Sequence, residues 1–378
     1  MSIYRPGEDP RAPGRRVPLL ASELPDARIQ MIDNFRLPPA QNLMREVVAL
    51  HAASGLQLPA DPAVSDPGRQ ADLVIANEVR RLQSATLFWI SPDMTALCQH
   101  AATTMPAFQP GPGDLPAPYG LMYFAAPIGG YDPFPRIILS GDSDATLVIA
   151  GAPVPVCAVS WGPWNQQGRW AGGGTWFTFF SPAAAGIREI CERYGLRPEE
   201  AARVRMPPLA IDSELACPAS GTPLLEGMLE EAVRDPHSRY SWMHLVLCAC
   251  RMMAASRSVS VAAEPPSPRH VRKRSARAGV SSPGDPVRLV DIRARGSRRQ
   301  PAREDTRRSS PQVRFPVRGH WRQQWYPRAG AHRPVYIEEF VKGPAGAPFR
   351  AGKTVYVFRE PGERARRPRP DAGEELEP

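Results

Sequence analysis

The chain has 378 residues, 47 Lys+Arg against 38 Asp+Glu, and a formal net charge of +9. That length accommodates two separate cores, whereas 45 prolines and a hydrophobic content of 42% argue against one uniformly packed globule. No apolar run approaches the ~20 residues of a membrane helix, and the polar, proline-rich start lacks the apolar stretch of a secretory signal, so a soluble, cytoplasmic protein without membrane contact is expected.

The charge is unevenly spread. Residues 1–256 hold 20 Lys+Arg against 25 Asp+Glu, and residues 257–378 hold 27 against 13. A basic C-terminal third on an acidic body points to a polyanionic partner. The six cysteines are scattered without a CxxC pair, which predicts reduced, structural thiols.

Residues 1–25 read as a flexible leader. Residues 27–56 carry helical spacing, with Ile29, Ile32, Leu43, Val47 and Leu50 as apolar points and Pro38-Pro39 as a divider. A second helix is predicted over 70–88, on the repeat of Leu73, Ile75, Val79, Leu82 and Phe88. Ser91-Pro92-Asp93 reads as a capped helix start, with Met94, Leu97, Cys98 and Ala101 on the buried side. From residue 116 the texture changes. Residues 121–128, 136–140, 145–151, 156–161 and 175–180 read as strands between Gly, Pro and Asp turns, predicting an antiparallel sheet. Helices are expected again over 183–194, 198–204, 222–233 and 240–255, the last apolar on most faces and so central and buried.

Residues 257–312 hold few large apolar residues and read mostly as a basic linker. Within it, 269–279 predicts a short basic helix ending at Gly279, and 287–292 a strand. The basic helix has the composition of a nuclear-import signal, of an RNA-binding arm, or of a solvated linker. Residues 313–360 contain three strand candidates and read as a small β module; 361–378 read as a disordered tail. The expected architecture is therefore α+β: a mixed helical and antiparallel-sheet body over 26–256, a basic linker over 257–312, and a small basic β module over 313–360.

The segment 317–328, VRGHWRQQWYPR, concentrates the chemistry. Arginine offers a planar fork to phosphates, and aromatic faces stack on unpaired bases. Arg318, His320, Trp321, Arg322, Trp325 and Arg333 are the candidate nucleic-acid-binding residues, with Arg328 and Tyr336 as supporting positions. The same aromatics also suit the core of a β module, since Trp321 and Trp325 share a strand face. His320 or His332 beside arginine would suit acid–base cleavage of RNA, but no spacing fixes a nucleophile or carboxylate partner. The segment 347–354 approaches a P-loop, but a strand follows it where a helix is required. Asp142 and Asp144 read as turn residues rather than metal ligands. Trp161, Trp164, Trp170 and Trp176 read as sheet core and rim, or as the wall of a peptide groove. No cofactor and no metal site is expected.

Residues 319–322, GHWR, with basic residues before them and an arginine-bearing, aromatic strand after them, resemble the C-terminal end of the type V-A anti-CRISPR protein 2 family. Residues 87–94 and 120–124 resemble the N-terminal body of relatives in that broad group of bacterial, phage and plasmid proteins. The resemblance implies a mobile-element protein that suppresses synthesis of a host defence nuclease by recognising the nascent effector, with loss of its message. It implies a peptide-recognising body and an RNA- or ribosome-facing basic module. A toxin-like ribonuclease, a DNA-binding regulator and a plain protein-interaction protein remain the alternatives.

Overall fold

The computed structural model describes residues 19–53, 66–106, 108, 110–131, 136–138, 147–149, 154–164, 173–183, 207–218, 238–256, 258–293, 313–327, 330–344 and 348. In chain order these form α1 (Leu24–Phe35), α2 (Pro38–Ala53), α3 (Pro67–Ser84), β1 (Thr86–Ile90), α4 (Pro92–Ala102), β2 (Gly120–Phe124) and β3 (Gly129–Tyr131). Next come β4 (Arg136–Ile138), β5 (Leu147–Ile149), β6 (Val154–Val156), β7 (Ala158–Trp164), β8 (Gly174–Pro182), β9 (Leu209–Pro218) and α5 (Arg239–Ala255). The last are β10 (Val259–Ala263), α6 (Arg269–Arg277), β11 (Arg288–Ile292), β12 (Phe315–Val317), β13 (His320–Tyr326), β14 (Ala331–Ile337) and β15 (Phe340–Lys342).

Local chemistry accounts for the helix starts. Asp66 accepts a hydrogen bond from the Arg69 amide at 2.9 Å and is followed by Pro67. Ser91 accepts from the Met94 amide at 3.1 Å and is followed by Pro92. Each pair supplies the capping oxygen and the fixed φ that a first turn needs. The helix expected over 70–88 ends at Ser84 instead, and Phe88 lies in β1. The apolar run TLFWI is covered on both faces, and such a strand offers no alternation to distinguish it from helix.

A seven-stranded sheet runs in the order β10-β11-β1-β2-β7-β8-β9. Strand β1 is parallel to both β2 and β11, whereas β2-β7, β7-β8, β8-β9 and β10-β11 are antiparallel. The body is thus α+β with a largely antiparallel sheet, and a small two-stranded hairpin, β13-β14, lies near the C-terminus. Strand β9 was not among the expected elements. The helices expected over 183–194, 198–204 and 222–233 lie outside the described residues, save Ala183. The region read mostly as linker differs from that expectation over 258–293, where β10 and β11 extend the central sheet and α6 crosses between them.

Alternate residues of the strands face two cores. Phe88, Ile90, Met122, Phe124, Val159 and Phe177 pack with α4 and α5 on one face. Leu87, Leu121, Tyr123, Ala158 and Phe180 pack with α1, α3 and α6 on the other. Helix α5 is buried almost all round, from Trp242 to Met252. A Cβ on Gly120 would lie 2.0 Å from the Trp161 ring, so only glycine seats that tryptophan. Burial pushes the Cys217 thiol up to about 12 and raises those of Cys248 and Cys250 as well, leaving them un-ionised. No helix among the described residues is long and apolar enough to cross a membrane.

The second core contains a polar network. Glu78 on α3 is fully buried and accepts from Ser160 Oγ at 2.7 Å, Thr178 Oγ1 at 2.8 Å and Arg81 Nε at 2.9 Å. Ser160, Thr178 and Glu214 stand in register across β7, β8 and β9. Burial raises the Glu214 carboxyl to about 7, Arg81 opposes the rise and Glu78 adds to it. The folded state therefore holds a proton that the unfolded chain releases at ordinary carboxylate pH. Stability is expected to fall as pH rises from about 4.5 to about 7, by up to roughly 3 kcal/mol. Urea unfolding across that window should show this decline flattened in Glu214→Gln; an unchanged pH profile would remove Glu214 as its cause.

The chain divides into two units. One comprises Pro18–Arg303 with Arg318–Glu339, holding the seven-stranded sheet and the β13-β14 hairpin. The other comprises Met1–Val17, Glu304–Val317 and Phe340–Pro378, whose described residues include the antiparallel pair β12-β15. The β module expected over 313–360 is thus split, with its hairpin belonging to the unit of the body.

Candidate nucleic-acid interface

Strands β13 and β14 pair from His320↔Ile337 to Tyr326↔Ala331. Period-two geometry puts Trp321, Gln323 and Trp325 on one face with Tyr336, Pro334 and His332, and puts His320, Arg322 and Gln324 on the other. The two ends of this hairpin have different fates.

The inner end is an anchor. Trp321 Nε1 donates to the Ala101 carbonyl at the end of α4, at 2.8 Å. Its ring meets Tyr336 edge-on, with centroids 5.2 Å apart, and both rings pack on the first core. A Cβ on Gly319 would lie 2.3 Å from the Tyr336 hydroxyl, so the glycine of the RGHW segment makes room for this packing. His320 Nδ1 contacts the Arg318 carbonyl at 2.9 Å.

Beside the anchor lies a buried ionic clasp. The turn Pro112–Asp114 carries Asp114, which is 3% exposed. Its carboxylate accepts from Arg251 Nη1 at 3.0 Å and from the Gly111 amide at 2.8 Å, and pairs with Arg333 as well. Arg251, on buried α5, also donates through Nε and Nη2 to the Pro334 carbonyl, each at 3.1 Å. A further tie runs from Ser256 Oγ to Glu338 at 2.9 Å. One carboxylate thus neutralises one of two guanidinium charges, and the excess positive charge is shared with a strand carbonyl.

The outer end is open. Trp325 is 47% exposed and Tyr326 37% exposed, and Arg322, Gln323 and His332 are exposed too. The Trp325 ring lies 5.0 Å from the His332 ring, tilted by 52°. Arg322 Nη2 donates to Gln324 at 2.6 Å. The tip therefore presents an aromatic on each face of the hairpin, with Arg322 and His332 alongside.

Of the six sequence candidates, Arg318, His320, Arg322 and Trp325 are exposed on or beside the hairpin. Trp321 and Arg333 are occupied by packing and by Asp114, and their part is to hold the hairpin in place. Arg328 lies outside the described residues. Sequence reasoning missed Asp114, Arg251 and Tyr326; a lone arginine within the apolar run of α5 was the visible signal for the clasp. His320 and His332 sit at opposite ends of the hairpin, five strand positions and ~17 Å apart, so they do not form one acid–base pair.

Trp161 and Trp176 are buried in the sheet; the Trp164 side chain and Trp170 lie outside the described residues. So do Asp142, Asp144 and most of the P-loop-like segment. Among the described residues no group of three or more His, Cys, Asp or Glu is arranged to hold a metal ion. No family model matches this chain, and no curated protein or solved structure matches it.

Proposed function

We propose that this protein binds single-stranded RNA, alone or within a ribonucleoprotein, through the outer end of the β13-β14 hairpin. The observation that carries the reading is Trp325, an exposed aromatic at the tip of a hairpin whose other end is locked into the core. Large aromatics left open on both faces of a short ribbon are poor packing and good stacking surfaces. Bases stack on Trp325 and Tyr326, and Arg322 and Arg318 take the flanking phosphates. The basic balance of the C-terminal third supports the same partner.

The likeness of residues 319–322 to the type V-A anti-CRISPR protein 2 family extends the proposal. On that footing this is a mobile-element protein, of phage or plasmid, that lowers synthesis of a host defence protein by acting on its message or translating complex.

The test is affinity for a labelled 20-nucleotide oligo(U), measured for the wild type and for Arg318→Ala/Arg322→Ala/Trp325→Ala. Loss of one stacked base alone is expected to weaken binding about 10- to 100-fold, equivalent to ~1–3 kcal/mol. Equal affinity in a variant that melts at the wild-type temperature would overturn the proposal.

A further inference from the structure

We infer that α6 forms a second phosphate-binding surface, separate from the hairpin and on the opposite side of the central sheet. The inference rests on the nucleic-acid reading for its partner and on different residues for its geometry.

Helix α6 has the sequence RHVRKRSAR. Val271 and Ser275 are buried, as is Ala278 just beyond the helix. At 100° per residue these three occupy a narrow stripe facing the body. Arg269, His270, Arg272, Lys273 and Arg277 fill the opposite arc and are exposed. Arg269, Lys273 and Arg277 fall in one row, spaced about 6 Å along the axis at 1.5 Å per residue. Among the described residues, Arg274 is the α6 cation with an ion-pair partner, Asp26 on α1; Arg269, Arg272, Lys273 and Arg277 have none.

This helix is fixed rather than tethered. Gln83 Nε2 and Arg36 Nη2 both donate to the Ala278 carbonyl, at 2.8 and 2.9 Å. Gly279 follows with φ +84°, the left-handed turn that ends a helix. Four like charges on one short helix repel each other. With the helix held at its C-terminal end and against α1, they form a preorganised row for a polyanion.

Chemistry selects the partner. A helix that lies on a membrane inserts its apolar side, and the apolar side of α6 is already buried against the second core. The exposed arc carries no large hydrophobic residue to pack on a protein surface. It carries mostly arginine, whose fork suits phosphate. The occupant is the sugar–phosphate backbone of a nucleic acid.

Placement adds a consequence. Val271 and Ala278 belong to the core beneath one face of the sheet, whereas Trp321 and Tyr336 pack on the core of the other. The two surfaces stand at least about 20 Å apart, two layer spacings of roughly 10 Å. A strand that reaches both must pass around the sheet.

The experiment compares Arg269→Gln/Arg272→Gln/Lys273→Gln/Arg277→Gln with the hairpin variant and the combined variant, on 20-nucleotide oligo(U) over a salt series. Glutamine keeps helix propensity. Losing four phosphate contacts should flatten the slope of log K against log salt by about 3, with the combined variant weaker than either alone. An unchanged slope in the α6 variant, with loss in the hairpin variant, overturns this inference and leaves the hairpin reading intact. Loss in the α6 variant with an unaffected hairpin variant does the reverse. Competition by polyglutamate as effective as by RNA, or binding transferred to phosphatidylserine vesicles, also overturns it. If the quadruple variant unfolds, Arg269→Gln/Lys273→Gln reads the same slope at half the size.

Discussion

Asp114→Ala is expected to destabilise the protein by about 3–5 kcal/mol, the usual penalty for removing one member of a buried ion group. The substitution leaves Arg251 and Arg333 facing each other without their carboxylate, and Arg251 is 6% exposed. The Gly111 amide loses its acceptor at the same time. The damage should fall first on the hairpin, because Arg333 belongs to β14 and Arg251 grips the Pro334 carbonyl. Urea unfolding should report the loss, and hydrogen exchange should show β13 and β14 amides opening ahead of the central sheet. A loss below about 1 kcal/mol with protected hairpin amides would refute the clasp. RNA affinity gives a second reading with a definite sign. Deleting a negative charge should strengthen binding to a polyanion if charge alone mattered. If the hairpin is the binding element, the variant binds more weakly although Asp114 faces no RNA.

The elements that the sequence made legible are those with local causes. Ser91 and Pro92 announced α4, the apolar run of α5 announced a buried helix, and the pair Pro38-Pro39 marked the break between α1 and α2. Gly279 marked the end of α6. Strand β1 was hidden because Leu82 to Phe88 keeps helical spacing while the chain changes conformation at Ala85. Strand β9 was hidden because Asp212, Ser213 and Glu214 interrupt its apolar pattern; burial keeps the Glu214 carboxyl protonated there, beside Trp176 and Thr178. At the interface, the density of arginine and tryptophan was readable, but the assignment of roles was not. Trp321 meets Ala101, and Arg333 meets Asp114, across more than 200 residues of chain. No local pattern tells an anchoring tryptophan at 321 from a displayed one at 325, since strand periodicity gives both the same face. The burial of one end of the ribbon separates them.

Glu78→Ala is the companion case in the second core, with an expected loss of about 3–5 kcal/mol. Glu78 is the acceptor on which Arg81, Ser160 and Thr178 converge, and Arg81 and Thr178 are 5% and 0% exposed. Removing it leaves the Ser160 and Thr178 hydroxyls without their acceptor and the Arg81 guanidinium without its carboxylate, each loss costing of order 1–3 kcal/mol. The loss should depend on pH because Glu214 is the other carboxyl beside Arg81. In the wild type, burial and the repulsion of Glu78 hold Glu214 protonated up to about pH 7. Without Glu78, the repulsion is gone and Arg81 lacks a partner, so Glu214 should ionise at lower pH and take up the guanidinium. The folded variant then gives up the proton that the wild type retains, and with it the wild type's extra stability on the acid side. The destabilisation should therefore be larger at pH 5.5 than at pH 8, by the sign of proton linkage. Chemical unfolding at both pH values, with Glu214→Gln as the background in a double-mutant cycle, measures it. A greater loss at pH 8, or a pH difference that survives in the Glu214→Gln background, would mean that the two carboxyls are not coupled through Arg81.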